Sequence, residues 1–77
     1  MAKISPVRIR KYRKLLKKLG WSYDRIKGDH EIWINDHNDD EIVFITNDKE
    51  VPPFIIRSNN KTLGISDNEF LKLLREK

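Results

Sequence analysis

The sequence has no cysteine, only three glycines and three prolines, and no long apolar run. Without cysteine, neither a disulfide framework nor a thiolate metal site is possible. No apolar segment approaches the roughly 18 residues of a membrane-spanning helix, and Met1-Ala2-Lys3 leads into no apolar signal segment. We therefore expect a cytoplasmic protein without a membrane partner, and residues 1–77 are predicted to form one domain.

Acidic residues are nearly absent from the first third of the chain. Residues 1–27 hold ten basic residues and one acidic residue, whereas residues 28–77 hold six basic and eleven acidic residues. This uneven distribution predicts a surface that binds a polyanion. Nucleic acid is the most common polyanion in a cell, although an acidic protein partner would use the same surface.

The first predicted helix carries most of this positive charge. Ser5 is its predicted N-cap, Pro6 its first residue, and Gly20 ends it. Apolar residues share one stripe at helical spacing, namely Ile9, Tyr12, Leu15, Leu16 and Leu19. The opposite side presents six cations, Arg10, Lys11, Arg13, Lys14, Lys17 and Lys18.

Three short runs rich in aromatic and β-branched residues follow, at 21–27, 31–35 and 41–46. Gly28-Asp29 is a predicted tight turn, and the polar segment 36–40 is a second turn. Strands joined by such short turns form an antiparallel meander. Trp21, Tyr23 and Trp33 are therefore predicted to be core or cross-strand residues rather than platforms for stacked bases.

The last third of the sequence is helical again. Pro52-Pro53 opens a second predicted helix that ends at Gly64, although Ser58-Asn59-Asn60 in its middle favours neither helix nor burial. Ser66 and Glu69 match the capping box of a short extra C-terminal helix. The predicted fold class is α+β in the order α-β-β-β-α, with a three-stranded antiparallel sheet and helices on one face.

Several short motifs accompany this order of elements. They are residues 15–21 (LLKKLGW), 25–33 (RIKGDHEIW), 50–53 (EVPP), 56–58 (IRS), 64–66 (GIS) and 69–71 (EFL). Their order and spacing, over about residues 7–74, resemble the HicA family of toxin–antitoxin ribonucleases.

This resemblance implies a fold similar to a double-stranded-RNA-binding domain. It also implies a toxin that cleaves messenger RNA without a metal or other cofactor and that a HicB-like antitoxin inhibits. The catalytic histidine of the family falls on His30 of this sequence. Asp29 stands where the family usually has serine, so this chain departs from the family next to the implied catalytic residue.

His30 is a candidate general base on chemical grounds as well. Histidine exchanges protons at neutral pH, and metal-free RNA cleavage needs the ribose 2′-OH to lose its proton as it attacks the adjacent phosphorus. Strand alternation places His30 on the face of Ile32 and opposite Trp33, and it makes a direct contact with Asp29 unexpected. The alternative is a histidine at the end of a strand that only hydrogen-bonds the hairpin.

The predicted RNA-binding residues are the six cations of the first helix together with Arg25 and Lys27. No acidic residue is interspersed among the six, so pairing within the helix does not account for them. A lysine-rich outer face that serves only solubility is the alternative. Arg25 and Lys27 precede His30 closely and would offset charge on the phosphate.

His37 lies in an acidic turn and is predicted to face solvent, and its neighbours Asp36, Asp39 and Asp40 lack the spacing of a metal site. No metal or cofactor is therefore expected. Two other functions stay open at this point. One is a non-catalytic RNA-binding module of the same fold, and the other is a protein-interaction domain whose cationic face binds an acidic partner.

Overall fold

Three helices and five short strands make up the part of the chain that the computed structural model describes, residues 3–46 and 48–76. Met1, Ala2, Asn47 and Lys77 lie outside the described residues. In chain order the elements are β1 (Val7–Arg8), α1 (Ile9–Lys18), β2 (Trp21–Lys27), β3 (His30–Asn35), β4 (Glu41–Ile45), β5 (Glu50–Val51), α2 (Pro53–Leu63) and α3 (Asp67–Arg75).

The three central strands form the predicted antiparallel sheet in the order β2-β3-β4. The β2–β3 hairpin turns through Gly28 and Asp29, so Lys27 pairs directly with His30. Gly28 has a φ of 64°, the left-handed backbone conformation that favours glycine in tight hairpin loops. The predicted α+β class and three-stranded sheet are therefore confirmed.

The sheet has one face in the core and one face turned away from it. Tyr23, Glu31, Trp33, Ile42 and Phe44 lie on the first face, where Trp33 and Phe44 are almost fully buried. The apolar side of α1, Ile56 of α2 and Phe70 of α3 belong to the same core cluster. All three helices thus contribute to one side of the sheet, as predicted. The prediction that Trp21, Tyr23 and Trp33 are core or cross-strand residues is also confirmed. Trp21 and Trp33 are 3% and 1% exposed, and Tyr23 pairs with Trp33 across the strands.

The other face, which we call the open face, carries three rows of paired residues. The first row is Lys27, His30 and Ile45, the second is Arg25, Ile32 and Val43, and the third is Ser22, Ile34 and Glu41. Ile32 is buried, although Arg25 and Val43 on either side of it are exposed, Val43 at 40%. Alternation along β3 therefore separates His30 from Trp33 as the sequence predicted.

The start of the first helix differs from the prediction. The helix begins at Ile9, with Arg8 at the N-cap position and without a side-chain cap, so Ser5 and Pro6 lie outside it. Val7 and Arg8 instead pair with Val51 and Glu50. Burial of Ile4 and Val7 outweighs the local capping signal, and the Ile9 N–H donates to the Lys49 carbonyl.

The second helix ends, and the third helix begins, where the sequence predicted. Gly64 follows α2 with a φ of 74°, the left-handed conformation of a glycine C-cap. Ser66 caps α3 and forms a complete capping box with Glu69. The prediction of weak burial in the middle of α2 is wrong, because Asn59 and Asn60 are 7% and 2% exposed.

Candidate functional site

The loop that precedes His30 is hydrogen-bonded to the end of β4, the strand next to β3. Thr46 follows β4, and both its backbone N–H and its Oγ1 donate to the Asp29 carbonyl, at 2.7 and 3.0 Å. His30 itself is the first residue of β3 and pairs with Lys27 on one side and Ile45 on the other. Its side chain is about half exposed, at 51%. The imidazole is thus held by an ordered hairpin and remains open to a ligand.

Asp29 contacts His30 directly, which the sequence analysis did not expect. Its Oδ1 lies 2.9 Å from Nδ1 of the imidazole, and the Asp29 side chain is 49% exposed. The prediction was wrong because it applied strand alternation to a residue of the loop. Asp29 lies in the turn, before β3 begins, so its side chain is not constrained to the opposite face.

Two of the predicted RNA-binding residues share the open face with His30. Lys27 is its cross-strand partner on β2, a position where Cβ atoms are about 4.5–5.5 Å apart. Arg25 lies in the next row and contacts two carboxylates, Asp24 beside it and Glu41 at 3.6 Å. The hydrogen bond to Asp24, followed by the charge of Glu41, raises the pKa of the Arg25 guanidinium. Lys27 is therefore the cation paired directly with His30, whereas Arg25 lies one row away.

Five of the six cations of α1 are exposed, namely Arg10, Lys11, Lys14, Lys17 and Lys18. The opposite stripe of α1 packs in the core against the sheet. The sheet therefore lies between this cationic surface and the open face that carries His30. The structure places Lys27 and Arg25 on the same face as His30, whereas α1 packs on the opposite, core face of the sheet.

Four of the α1 cations line a groove between α1 and α3. The groove has a volume of about 650 Å³, and its apolar lining comes from Leu15, Leu73 and Leu74. Arg10, Lys11, Lys14 and Lys18 lie along it, joined by Arg75 and Glu76 at the end of α3. The excess of cations makes this groove an electropositive surface.

Arg13, the sixth cation of α1, has a protein partner. Its Nε and Nη2 donate to Glu31 at 2.9 and 2.6 Å, and Trp33 Nε1 donates to the same carboxylate at 2.7 Å. Burial would raise the pKa of Glu31, but the bonds from Arg13 and Trp33 outweigh it and leave that pKa below its ordinary value. The bond to Glu31 also raises the pKa of Arg13. Because Glu31 is 18 residues away on β3, no spacing within α1 could have indicated this pair.

His37, the other histidine, lies in the exposed turn at the opposite end of β3. Its backbone N–H donates to the Asn35 side chain at 2.7 Å. Across residues 3–46 and 48–76, no group of three histidine or acidic side chains has a metal-binding arrangement. Nor does any helix within those residues have the length and apolar character to cross a membrane.

Comparison with known proteins gives one family match. The family described as HicA toxin of bacterial toxin–antitoxin systems matches residues 9–65, from the start of α1 to just beyond α2. No curated protein and no solved structure matches the chain. The matched segment covers more than half of the 77 residues and includes the hairpin with His30. The chain therefore belongs to the HicA family of toxins from bacterial toxin–antitoxin systems.

Proposed function

We propose that this toxin is a metal-independent endoribonuclease that cleaves messenger RNA with His30 as its general base. The observation that carries the proposal is the position of the imidazole: half exposed, on an ordered hairpin, directly across from Lys27. Membership of the HicA family supports the toxin function. A buried histidine sealed in the core could not have reached a ribose hydroxyl.

The proposed reaction needs only one proton acceptor at the attacking oxygen. His30 takes the proton of the ribose 2′-OH as the 2′-oxygen forms a bond to the adjacent phosphorus. The bond from phosphorus to the 5′-oxygen breaks, and that oxygen takes up a proton from water. The products are a 2′,3′-cyclic phosphate and a 5′-hydroxyl. One general base of this kind contributes about 10²–10⁴-fold to the rate.

The cations would act in two separate places. Lys27, and Arg25 beside it, would offset negative charge on the phosphate that reacts at His30. The exposed cations of α1 would bind phosphates elsewhere along the RNA, and their groove with α3 supports such contacts. Arg13 would contribute less, because it already binds Glu31. An RNA that uses both surfaces would have to reach both sides of the sheet.

The family also supports an antitoxin partner, which we propose is a HicB-like protein. Direct inhibition requires that this partner cover His30, the α1 cations, or both. Acidic side chains on the antitoxin would suit either surface. A structure of the complex in which both surfaces remain open to solvent would contradict direct inhibition.

Replacement of His30 tests the proposed function against simple RNA binding. We expect His30→Ala to retain the fold and nearly all RNA affinity, to slow RNA cleavage by about 10²–10⁴-fold, and to lose the growth arrest caused by expression. His37→Ala is the matched control, because it removes the other histidine from an exposed turn. It should arrest growth like the wild type.

The second candidate function is a non-catalytic RNA-binding module. The separation of the α1 cations from His30 favours it, since those cations can bind RNA without placing it at the imidazole. In that case His30→Ala and the wild type would arrest growth equally. A wild-type protein that binds no RNA even at low salt would contradict both candidates.

A further inference from the structure

We propose that Asp29 is a positioning residue, which holds a proton on Nδ1 of His30 and leaves Nε2 free to accept the ribose proton. The contact between Asp29 Oδ1 and His30 Nδ1 is 2.9 Å. This inference rests on the proposed ribonuclease function and specifies which imidazole nitrogen performs it. Measurement of the His30 tautomer together with the cleavage rate separates its failure from failure of that function.

The backbone around Asp29 is held firmly enough for such a role. The loop has only two residues, and Gly28 supplies the positive φ that the tight connection needs. Two hydrogen bonds from Thr46 then fix the Asp29 carbonyl to the end of β4. These bonds hold the backbone of Asp29 beside the imidazole, where its Oδ1 lies 2.9 Å from Nδ1.

The chemistry of the two groups determines the tautomer. An aspartate carboxylate is ionised at neutral pH and can only accept hydrogen bonds. A neutral imidazole beside it is stabilised when Nδ1 carries the hydrogen, because the opposite tautomer would set a lone pair against the negative charge. Nε2 then keeps its lone pair. General-base catalysis by Nε2 requires that tautomer.

The side chains paired with His30 on the neighbouring strands cannot accept a hydrogen bond from Nδ1. Lys27, across β2, is a cation and cannot accept a proton from the ring. Ile45, across β4, is apolar. Glu31 follows His30 in sequence but lies on the opposite face, bound to Arg13 and Trp33. Among the described neighbours of His30, Asp29 is the carboxylate in contact with it.

The tautomer can be measured directly by NMR. The ¹⁵N chemical shifts of the His30 ring distinguish a protonated nitrogen from one with a free lone pair. In the wild type at a pH where the ring is neutral, we expect a protonated Nδ1 and an unprotonated Nε2. In Asp29→Asn we expect a mixture of tautomers, because the neutral amide can either donate or accept. Equal tautomer populations in the wild type and in Asp29→Asn would overturn the proposal.

Cleavage of a labelled single-stranded RNA provides the second readout. Asp29→Asn should lower kcat by about tenfold with little change in KM, less than the full contribution of a general base. The matched control is Asp40→Asn, which removes the same charge from the exposed turn at the other end of the hairpin. It should leave kcat and the His30 tautomer unchanged. An Asp29→Asn variant with a mixed tautomer and wild-type kcat would also overturn the proposal.

These outcomes remain distinct from a failure of the proposed function. If neither the wild type nor Asp40→Asn cleaves RNA while Nδ1 is held protonated, the pairing of Asp29 with His30 stands and the ribonuclease function is wrong. If both cleave RNA and only the tautomer measurement fails, the ribonuclease function stands without this role for Asp29.

Discussion

Glu31 is the one charged residue that is buried within the described residues, at 2% exposure. Its carboxylate accepts hydrogen bonds from Arg13 of α1 and from Trp33 on its own strand. These contacts join α1 to β3 through Arg13, a residue that was predicted to bind RNA. A buried carboxylate that loses its cation keeps the desolvation penalty without the compensating bonds.

Arg13→Met should therefore destabilise the fold more than removal of an exposed cation. We expect Arg13→Met to lower the free energy of unfolding by about 2 kcal/mol relative to Lys14→Met at neutral pH. Lys14 is the matched control, since it is an exposed neighbour on the same helix. Urea denaturation of both variants measures the difference. Equal stabilities would show that the Glu31 contacts contribute nothing.

The same pair makes a prediction about pH. Because the pKa of Glu31 is lowered in the folded state, its stabilising effect is fully present above the ordinary value of 4.5 and is lost as pH falls through the folded value. The difference between Arg13→Met and Lys14→Met should consequently shrink in acid, below about pH 4. If the difference in free energy of unfolding between the two variants grows in acid, the Arg13–Glu31 pair does not stabilise the fold in this way.

The contacts of single residues were the least predictable part of the site. The face on which His30 lies followed from strand alternation, which is a local property of the backbone. The Asp29 contact depends on the residue at which β3 begins, and strand ends are poorly marked in sequence. The pairing of Arg13 with Glu31 depends on the packing of α1 against the sheet, which no local pattern records.

Two serines, of which one caps a helix and the other does not, provide a matched comparison of helix capping. Ser66 accepts a hydrogen bond from the Glu69 backbone N–H at 3.1 Å, whereas Ser5 lies in the chain before β1 and caps no helix. We expect Ser66→Ala to lower the free energy of unfolding by about 1 kcal/mol. Ser5→Ala should change it by no more than a few tenths of a kcal/mol.

Thermal or urea denaturation of the two variants measures this comparison. Equal losses would mean that Ser5 caps the first helix after all, as the sequence pattern suggested. A stable Ser66→Ala variant would mean that the capping box contributes little to α3.

Most elements could be predicted because their signals are local. The stripe of apolar residues in α1, Gly64 after α2 and the capping box of α3 are each contained within a few residues of sequence. The pairing of β1 with β5 joins segments more than 40 residues apart and has no local signature. Two residues on each strand are too few to produce an alternating pattern.

The burial of Asn59 also depends on residues that are distant in sequence. Its Nδ2 donates to the Tyr12 hydroxyl and to the Val43 carbonyl, each at 3.2 Å. Burial raises the pKa of Tyr12 to about 12, although the bond from Asn59 opposes that shift. The asparagine thus provides polar partners where α1, α2 and β4 meet. A helix-propensity scale measures none of these contacts.

At the scale of the whole molecule, the two cationic regions lie on different sides of the sheet. Lys11, Lys14 and Lys18 lie along the groove of α1 and α3, while Lys27 faces the same way as His30. Binding and chemistry are therefore expected to respond to different substitutions. Combined replacement of the three α1 lysines by glutamine should weaken RNA binding and leave kcat at saturating RNA unchanged.

The salt dependence of RNA binding measures the first part of this prediction. Three lost phosphate contacts should reduce the slope of log K against log salt by about 2 for single-stranded RNA. Lys27→Gln should instead lower kcat by at least about tenfold, since its charge lies beside the reacting phosphate. A triple variant with an unchanged slope would remove RNA binding from the α1 surface.

The rate of RNA cleavage by purified protein in buffer with EDTA shows whether His30 cleaves RNA without a metal. The wild type and His37→Ala should cleave RNA at the same rate and leave 2′,3′-cyclic phosphate ends. Folded His30→Ala, with an unchanged melting temperature, should be slower by about 10²–10⁴-fold. Cleavage by His30→Ala at the wild-type rate, or a wild type that EDTA silences, would contradict metal-free catalysis by this histidine.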